Sequence, residues 1–331
     1  MKKILFLLAV VLMALGAKAQ VNQVAVLSNE GKLSFFYGSG ALADAYEKAV
    51  DGDVITLSSG SFHAVGIKKA ITLRGAGIAL ESDKTISPTY INGELEVELS
   101  EKSLDHQLNF DGLTFMTHVR LYEVKDVIFQ KCEFMGAVNS SNFPDEADNQ
   151  KNVQYSFVHC FQSDVESPLS IRYGQVSIVN SVLKALSTEG NKYSNFNITN
   201  SIVMSSRYSS SLENCNFTNS VILKEWEDGY GNISDNCTGT NCIVAGKNMG
   251  FKFGKNIVFI DNVEELFKEG TFYELTEKAA EVLGTDGTQV GIYGGNFPFE
   301  AAADGPKVKK FNVAPKTTAD GKLSVDIEIA E

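Results

Sequence analysis

The sequence predicts an all-β fold, a parallel β-helix of about ten coils, with an α-helical cap at the N-terminus and a short β tail at the C-terminus. Three observations predict it. A segment of one shape returns about every twenty residues: "GQVSIVNSVL" (Gly174 to Leu183), "NFNITNSIVM" (Asn195 to Met204) and "NCNFTNSVIL" (Asn214 to Leu223). Each copy alternates apolar and polar residues with period two, the pattern of a strand with one buried face. The connections between copies are too short to hold helices, so the chain must turn and continue as strand.

The coils align on the position of Asn200. Its equivalents are Ser59, Gly75, Gly93, Gly112, Lys131, His159, Asn180, Asn219 and Asn241, with neighbouring spacings of 16 to 22 residues and one of 28. Two positions earlier stand Leu57, Leu73, Ile91, Phe110, Phe129, Phe157, Ile178, Ile198, Phe217 and Gly239. Four positions earlier the column is again almost wholly apolar, from Ile55 to Val176 and Phe196. Stacked coils place like residues above like, about 4.8 Å apart. Asn180, Asn200, Asn219 and Asn241 are therefore expected to form a structural ladder, each amide bonding to the coils above and below. Asn also tolerates the left-handed backbone of a tight corner. A leucine-rich repeat has a similar period but needs Leu-rich columns with Asn inside the strand, whereas these columns prefer Phe, Ile and Val.

The ends follow in order. Lys2 and Lys3, the apolar run "ILFLLAVVLMALG" and "AKA" (Ala17 to Ala19) read as a signal peptide over residues 1–19, cleaved before Gln20. The run is shorter than the ~20 residues a membrane span needs, and no comparable run follows. Residues 20–304 are read as the β-helix with its cap and closure. Open strand edges at the ends of a stack need cover. "GALADAYEKAVDGD" supplies a short helix with Leu42, Ala45, Tyr46 and Ala49 on one face, stopped by Asp51-Gly52. "NVEELFKEG" and "YELTEKAAEVLG" read as helical, and "TDGTQVGIYGGNFPF" as a turn-rich closure. Residues 305–331 alternate on both sides of Asp320-Gly321 and read as a β-hairpin tail.

Removal of residues 1–19 leaves 312 residues and, with Lys2, Lys3 and Lys18 gone, moves the formal charge from −12 to −15. An acidic chain with four Arg is a poor partner for nucleic acid, and polyanions meet a repulsive field. The five cysteines are Cys132, Cys160, Cys215, Cys237 and Cys242. An odd count leaves at least one thiol unpaired, and no pair has zinc spacing. Register places Cys215 above Cys237 as an inward, reduced pair. Cys132 and Cys160 flank the longest insertion and have more freedom to bond.

"AYEKAVDGDVITLSSGSF" (Ala45 to Phe62), "KKAITLRGAG" (Lys68 to Gly77), the Asn corners and "GTDGTQVGIYGG" (Gly284 to Gly295) together resemble the right-handed parallel β-helix proteins of the pectate-lyase-like superfamily. The last of these is similar to a motif in exported β-helix proteins of Bacteroidetes-type bacteria. The resemblance spans about Gly38 to Phe299 and implies a right-handed coil. It implies no single function, because the superfamily holds lyases, hydrolases, epimerases and adhesins. The Asn-Thr-Asp, Asp-Asp, Gly-His-Gly and Arg-Ile-Lys segments of polygalacturonase-like members are absent from this chain. Among the acids, Glu133 alone follows a corner, and its equivalents are Phe161, Val182, Ile202 and Val221, so no acidic column supports a Ca²⁺ cluster. No cofactor or metal is expected.

Loops remain as candidate sites. The long insertion holds Asp145, Glu146 and Asp148, best read as solvated. "KEWEDGYG" carries the sole Trp, and Trp226 and Tyr230 offer flat faces to a sugar ring, with Glu225, Glu227 and Asp228 as acceptors. Arg207 and Tyr208, one coil earlier, share nearly the same offset. His159 and Cys160 are sequence neighbours on a strand and point apart, which disfavours a Cys-His nucleophile. The expectation is an exported protein (periplasmic, surface or secreted) and a monomer, a non-catalytic scaffold for polysaccharide or a cell-surface glycan. A polysaccharide lyase or glycoside hydrolase and a structural envelope protein are the alternatives.

Overall fold

In the strands that lead into the corners, the apolar residues two and four positions before each corner are buried: Val127, Phe129, Phe157, Val176, Ile178, Phe196 and Ile198 all have no exposed surface. That alternation is what makes these segments strands. The computed structural model describes residues 23–80, 87–140, 152–188, 193–205, 211–223, 232–234, 236–246, 254–302, 307–313 and 325–330, the last two ranges as backbone. The chain is all-β. Among the described residues, 24 strands join in one continuous, open sheet of mixed direction.

Strands of successive repeats pair in parallel and stand in three columns. The first column runs from Val54–Leu57 through Asp126–Gln130, Gln154–Val158, Tyr173–Val179, Tyr193–Thr199 and Cys215–Thr218 to Gly254–Ile260. The second includes Thr89–Asn92, Leu113–Phe115, Glu133–Phe134, Phe161–Gln162, Val182–Leu186 and Val221–Leu223. The third contains Leu95–Glu98, Val119–Glu123, Val138–Ser140 and Leu169–Ser170. Between the first two columns the chain turns at Gly112, Lys131, His159, Asn180, Asn200, Asn219 and Asn241, whose φ values lie between 44° and 67°. This left-handed backbone explains the preference for Gly and Asn in that row.

Two aromatic stacks run up the interior. Phe110, Phe129 and Phe157 stack at 5.0 and 5.2 Å, and Phe115 and Phe134 at 5.5 Å. The stacks meet edge to face, as between Phe129 and Phe134 at 5.3 Å, the arrangement ring quadrupoles favour. Next to the corner, Cys132, Cys160, Ser181, Ser201, Ser220 and Cys242 form one row, and each side chain donates to the carbonyl two residues back. The hydroxyls also link repeats: the N–H groups of Cys160, Ser181 and Ser201 donate to Oγ of Ser181, Ser201 and Ser220 at 2.9, 3.2 and 3.2 Å.

Several expectations are corrected. Gly93 is not a corner of the first column, because Ile91 pairs with Phe62 and Phe115 in the second. Leu73 pairs with both Ile55 and Phe110, so a single long repeat spans these residues, and the first strand lies two positions off the expected register. A further repeat, unrecognised in sequence, places Asn256 beside Asn241. The corner asparagines do not bond chiefly to one another. Asn180 Nδ2 donates to Ile292 O and Gly294 O, Asn219 pairs with Thr285, and Asn241 Nδ2 donates to Leu283 O. The amide is drawn to strap carbonyls that lie beside the corner, which no neighbouring repeat supplies. An amide ladder does exist, on the exposed side of the first column, where Asn216 Nδ2 donates to Asn197 Oδ1 at 3.2 Å.

The strap, Leu283 to Ala302, thus runs back along the corner row, against the stacking direction. Beyond Asn180 it meets His159, whose Nε2 lies 3.1 Å from Phe297 O, then Lys131, paired with Glu300 at 3.4 Å, and finally Ile78, which donates to Ala301 O. Only two short helical turns precede it, Val263–Glu265 and Glu277–Ala280, where longer helices were expected. Their burial comes from side chains clamped onto the second column rather than from an amphipathic face.

At the other end the helix Ala41–Lys48 buries Ala41, Leu42 and Ala45. Tyr46 Oη accepts from the Lys68 and Lys69 N–H groups, and Lys69 Nζ donates to carbonyls of the last turn, the Ala49 carbonyl at 2.7 Å. An antiparallel hairpin, Val24–Asn29 with Lys32–Tyr37, also covers this end and pairs with Val54–Leu57. Its short strands carried no repeat signal. The segments Lys307–Val313 and Val325–Ala330 pair antiparallel, with Phe311 opposite Ile327. All five cysteines are buried free thiols. Cys132 and Cys160 do not bond to each other, because both point inward in register and each thiol already has carbonyl acceptors.

Candidate functional site

From Val182 onward, the second column is apolar on both faces. Val182, Ile202, Val221 and Ile243 point away from the main core and pack under Val290, Ile292, Leu266 and Phe299 in a second hydrophobic cluster. Two-sided burial explains the aliphatic pairs Val182-Leu183, Ile202-Val203 and Val221-Ile222 that follow each Asn-Ser. The cover ends at Phe161 and Glu133, which occupy the same position in earlier repeats. There the column becomes the floor of a groove of about 740 Å³, walled by Ala79 and Leu80 on one side and Gly270 to Tyr273 on the other.

Three consecutive repeats each supply one polar group to its floor: Glu133, Ser163 and Lys184. Thr114 Oγ1 donates to Glu133 Oε2 at 3.3 Å. Burial raises the Glu133 carboxyl above the usual glutamate range, while hydrogen bonds from Thr114 and Ser163 and the charge of Lys184 oppose the rise. Lys184 Nζ sits 5.4 Å above the Phe161 ring, a cation–π contact. Phe161 meets Phe272 edge-on at 5.1 Å.

The far wall is a tightly shaped loop. Phe267 and Leu275 bridge its base, Lys268 N donates to Glu274 O, and Tyr293 Oη donates to Phe272 O at 2.8 Å. Tyr273 has φ of 56°, uncommon for a bulky residue and held here by the surrounding packing. The result is one carboxyl, one ammonium, the hydroxyl-bearing side chains of Ser163, Thr271 and Tyr273, and three aromatic rings lining one opening, the usual composition of a ligand site.

Trp226, Tyr230, Arg207, Tyr208, Glu225 and Asp228 lie outside the described residues, as do Asp145, Glu146 and Asp148. Glu133 was singled out in sequence only as a lone acid. Phe272 and Tyr273 carried no signal, being far along the chain from Glu133, Ser163 and Lys184 and outside the repeat. Lys184 was readable as the one charge inside "VLKAL". His159 and Cys160 point apart, the ring toward the strap and the thiol toward the Phe129 carbonyl. No described helix is long and apolar enough to cross a membrane. The chain matches no family model, no curated protein and no solved structure.

Proposed function

We propose that this chain is an exported right-handed parallel β-helix of the pectate-lyase-like type, acting as a non-catalytic scaffold that binds a polysaccharide or cell-surface glycan in the groove. Three parallel columns joined at left-handed corners support the fold reading. The basic, apolar and small-residue segments of residues 1–19 support export to the periplasm, surface or medium. The observation that carries the function is the groove itself: aromatic rings of Phe272 and Tyr273 beside Lys184, Glu133 and Ser163. Flat rings take the C–H faces of a sugar, and the three polar groups take its hydroxyls.

Hydrolysis by paired carboxylates requires two acids across the scissile bond. Glu133 is the single acid among the described lining residues, which favours binding over a two-carboxylate hydrolase; the lyase alternative is decided by reducing-end release. The loop carrying Trp226 and Tyr230, with Arg207 and Tyr208, remains a second candidate contact, tested by Trp226→Ala. A glycan-array screen run beside reducing-end release on the same polysaccharides tests the whole reading. Binding without release, lost in Lys184→Ala with an unchanged circular dichroism spectrum, is expected. Release of reducing ends would replace the scaffold by an enzyme.

A further inference from the structure

The first column has an exposed side away from the groove and across the corner row from it. Beside the corner it carries Val158, Val179, Thr199, Thr218 and, one repeat on, Thr240. The next row reads Ser156, Ser177, Asn197, Asn216 and Thr238, and the third runs from Asp126 through Gln154 and Gln175 to Asn195. Between Asp126, in register with Gln154 at one end, and Lys255, in register with Thr240 at the other, none of these residues is charged, although 21% of the chain is Asp, Glu, Lys or Arg. A solvated sheet face that follows the average surface would carry several charges over this many positions.

The amides and hydroxyls are organised. Asn216 Nδ2 donates to Asn197 Oδ1 at 3.2 Å, and Thr238 Oγ1 donates to Asn216 Oδ1 at 2.7 Å. An amide has two N–H donors and two acceptor lone pairs, so this ladder orients Asn216 and leaves capacity for a ligand. Two aromatic rings border the face. Tyr193 stands on it, two residues before Asn195, with 60% of its surface exposed. Phe297, on the strap, is 78% exposed and shares a groove of about 580 Å³ with Val158, Val179, Thr199 and Thr218.

From this we infer that the exposed face of the first column binds an uncharged polysaccharide, laid along the stacking direction. Stacked strands repeat the same donor and acceptor every ~4.8 Å, so a polymer along that axis meets equivalent groups at each step. Tyr193 and Phe297 supply rings for stacking against sugar C–H faces. From Gln154 to Thr240 the face carries no cation to hold an acidic polymer, Lys131 in the adjoining groove is paired with Glu300, and the chain's formal charge of −12 repels such a polymer. A protein partner would need a more apolar centre than rows of Ser, Thr, Asn and Gln provide. The inference is independent of the groove, which lies on the second column.

The full chain is run through affinity gels containing mixed-linkage β-glucan, xylan or galactomannan, with polygalacturonate as the charged control. Retardation by at least one neutral polymer and none by polygalacturonate is expected. Tyr193→Ala and Asn216→Asp, both at exposed positions, should each weaken it roughly fivefold or more. Lys102→Ala, at an exposed turn outside both grooves, should leave it unchanged. Circular dichroism checks the fold of each variant. The inference is overturned by absence of retardation on every neutral polymer, by retardation on polygalacturonate, or by wild-type affinity in both face variants. Loss in Lys184→Ala alone would move the binding to the groove and overturn it too. A dimer that Asn216→Asp dissociates in light scattering would assign the face to a second copy instead.

Discussion

Asn219 and Thr285, 66 residues apart, exchange two hydrogen bonds: Asn219 Nδ2 donates to Thr285 Oγ1 at 3.2 Å, and Thr285 N donates to Asn219 Oδ1 at 2.8 Å. Asn219 O also accepts from Gly291 N at 2.8 Å. The corner row is therefore a rail on which the C-terminal strap is pinned. Asn is suited to both tasks, since it tolerates φ of 51° and carries a donor and an acceptor beyond the backbone.

Asn219→Gly keeps the corner backbone and removes the pin. It should cost about 1–3 kcal/mol through the lost bonds and the Thr285 N–H left behind. Asn219→Ala should cost roughly 1 kcal/mol more, for a Cβ in left-handed backbone. Urea unfolding of both variants measures this, and equal stability to wild type in Asn219→Gly would refute the pin. Hydrogen exchange in the strap should quicken in both.

Gly295 faces Asn200, and a Cβ on Gly295 would lie 2.3 Å from Asn200 Nδ2 at a φ of +82°. Gly295→Ala should lift the strap locally and lower the melting temperature. Pairing it with Asn200→Gly, which vacates the space, should recover part of the loss. Additive losses in the double variant would show that the two residues do not meet.

In the row beside the corner, Ser and Cys alternate in one role, donating to a carbonyl two residues back. Ser201→Ala should destabilise by about 1–3 kcal/mol, because the Ser181 N–H loses its acceptor. Ser201→Cys should cost less, since Cys160 and Cys242 already fill that place. Chemical denaturation ranks the two, and a reversed order would contradict the shared role.

Burial pushes the Cys160 thiol to about 12 and the Cys242 thiol to about 11. At pH 8, only about one Cys160 in ten thousand is then the reactive thiolate. Iodoacetamide should label the native protein at these two positions negligibly. In urea without reductant all five cysteines should label. A disulfide-linked peptide in the mass spectrum would disprove the free-thiol assignment.

Glu133 has a raised carboxyl, so the folded state holds its proton more tightly than the unfolded chain does. Its stabilising contribution is full below the ordinary glutamate value and is lost as pH rises through the raised folded value. Glu133→Gln removes that loss. The melting temperature of the variant relative to wild type should therefore rise between acidic and neutral pH, and a flat difference would contradict the shift.

Period-two alternation and the recurring corner were enough to read the stacked strands, since burial of one strand face is a local property of spacing. The helix over Leu42 and Ala45 was legible for the same reason. Failures came where the repeat drifts. "ITLRGAG" and "TYINGEL" look alike in sequence, yet the first belongs to the first column and the second to the next. Only pairing partners distinguish them. The Asn row was recognised, but its partners were not, because a corner amide bonds to whatever backbone packs beside it. That backbone came from Leu283 to Gly294, outside the repeat.

The sequence by itself determined the strands, the left-handed corners and the inward columns, because each depends on neighbours within a few residues. Tertiary structure alone decided the course of the strap, the second hydrophobic cluster beneath it and the groove at its margin. Glu133, Lys184 and Tyr273 converge there through contacts between distant segments, and no local pattern encodes which distant segment will cover an apolar face.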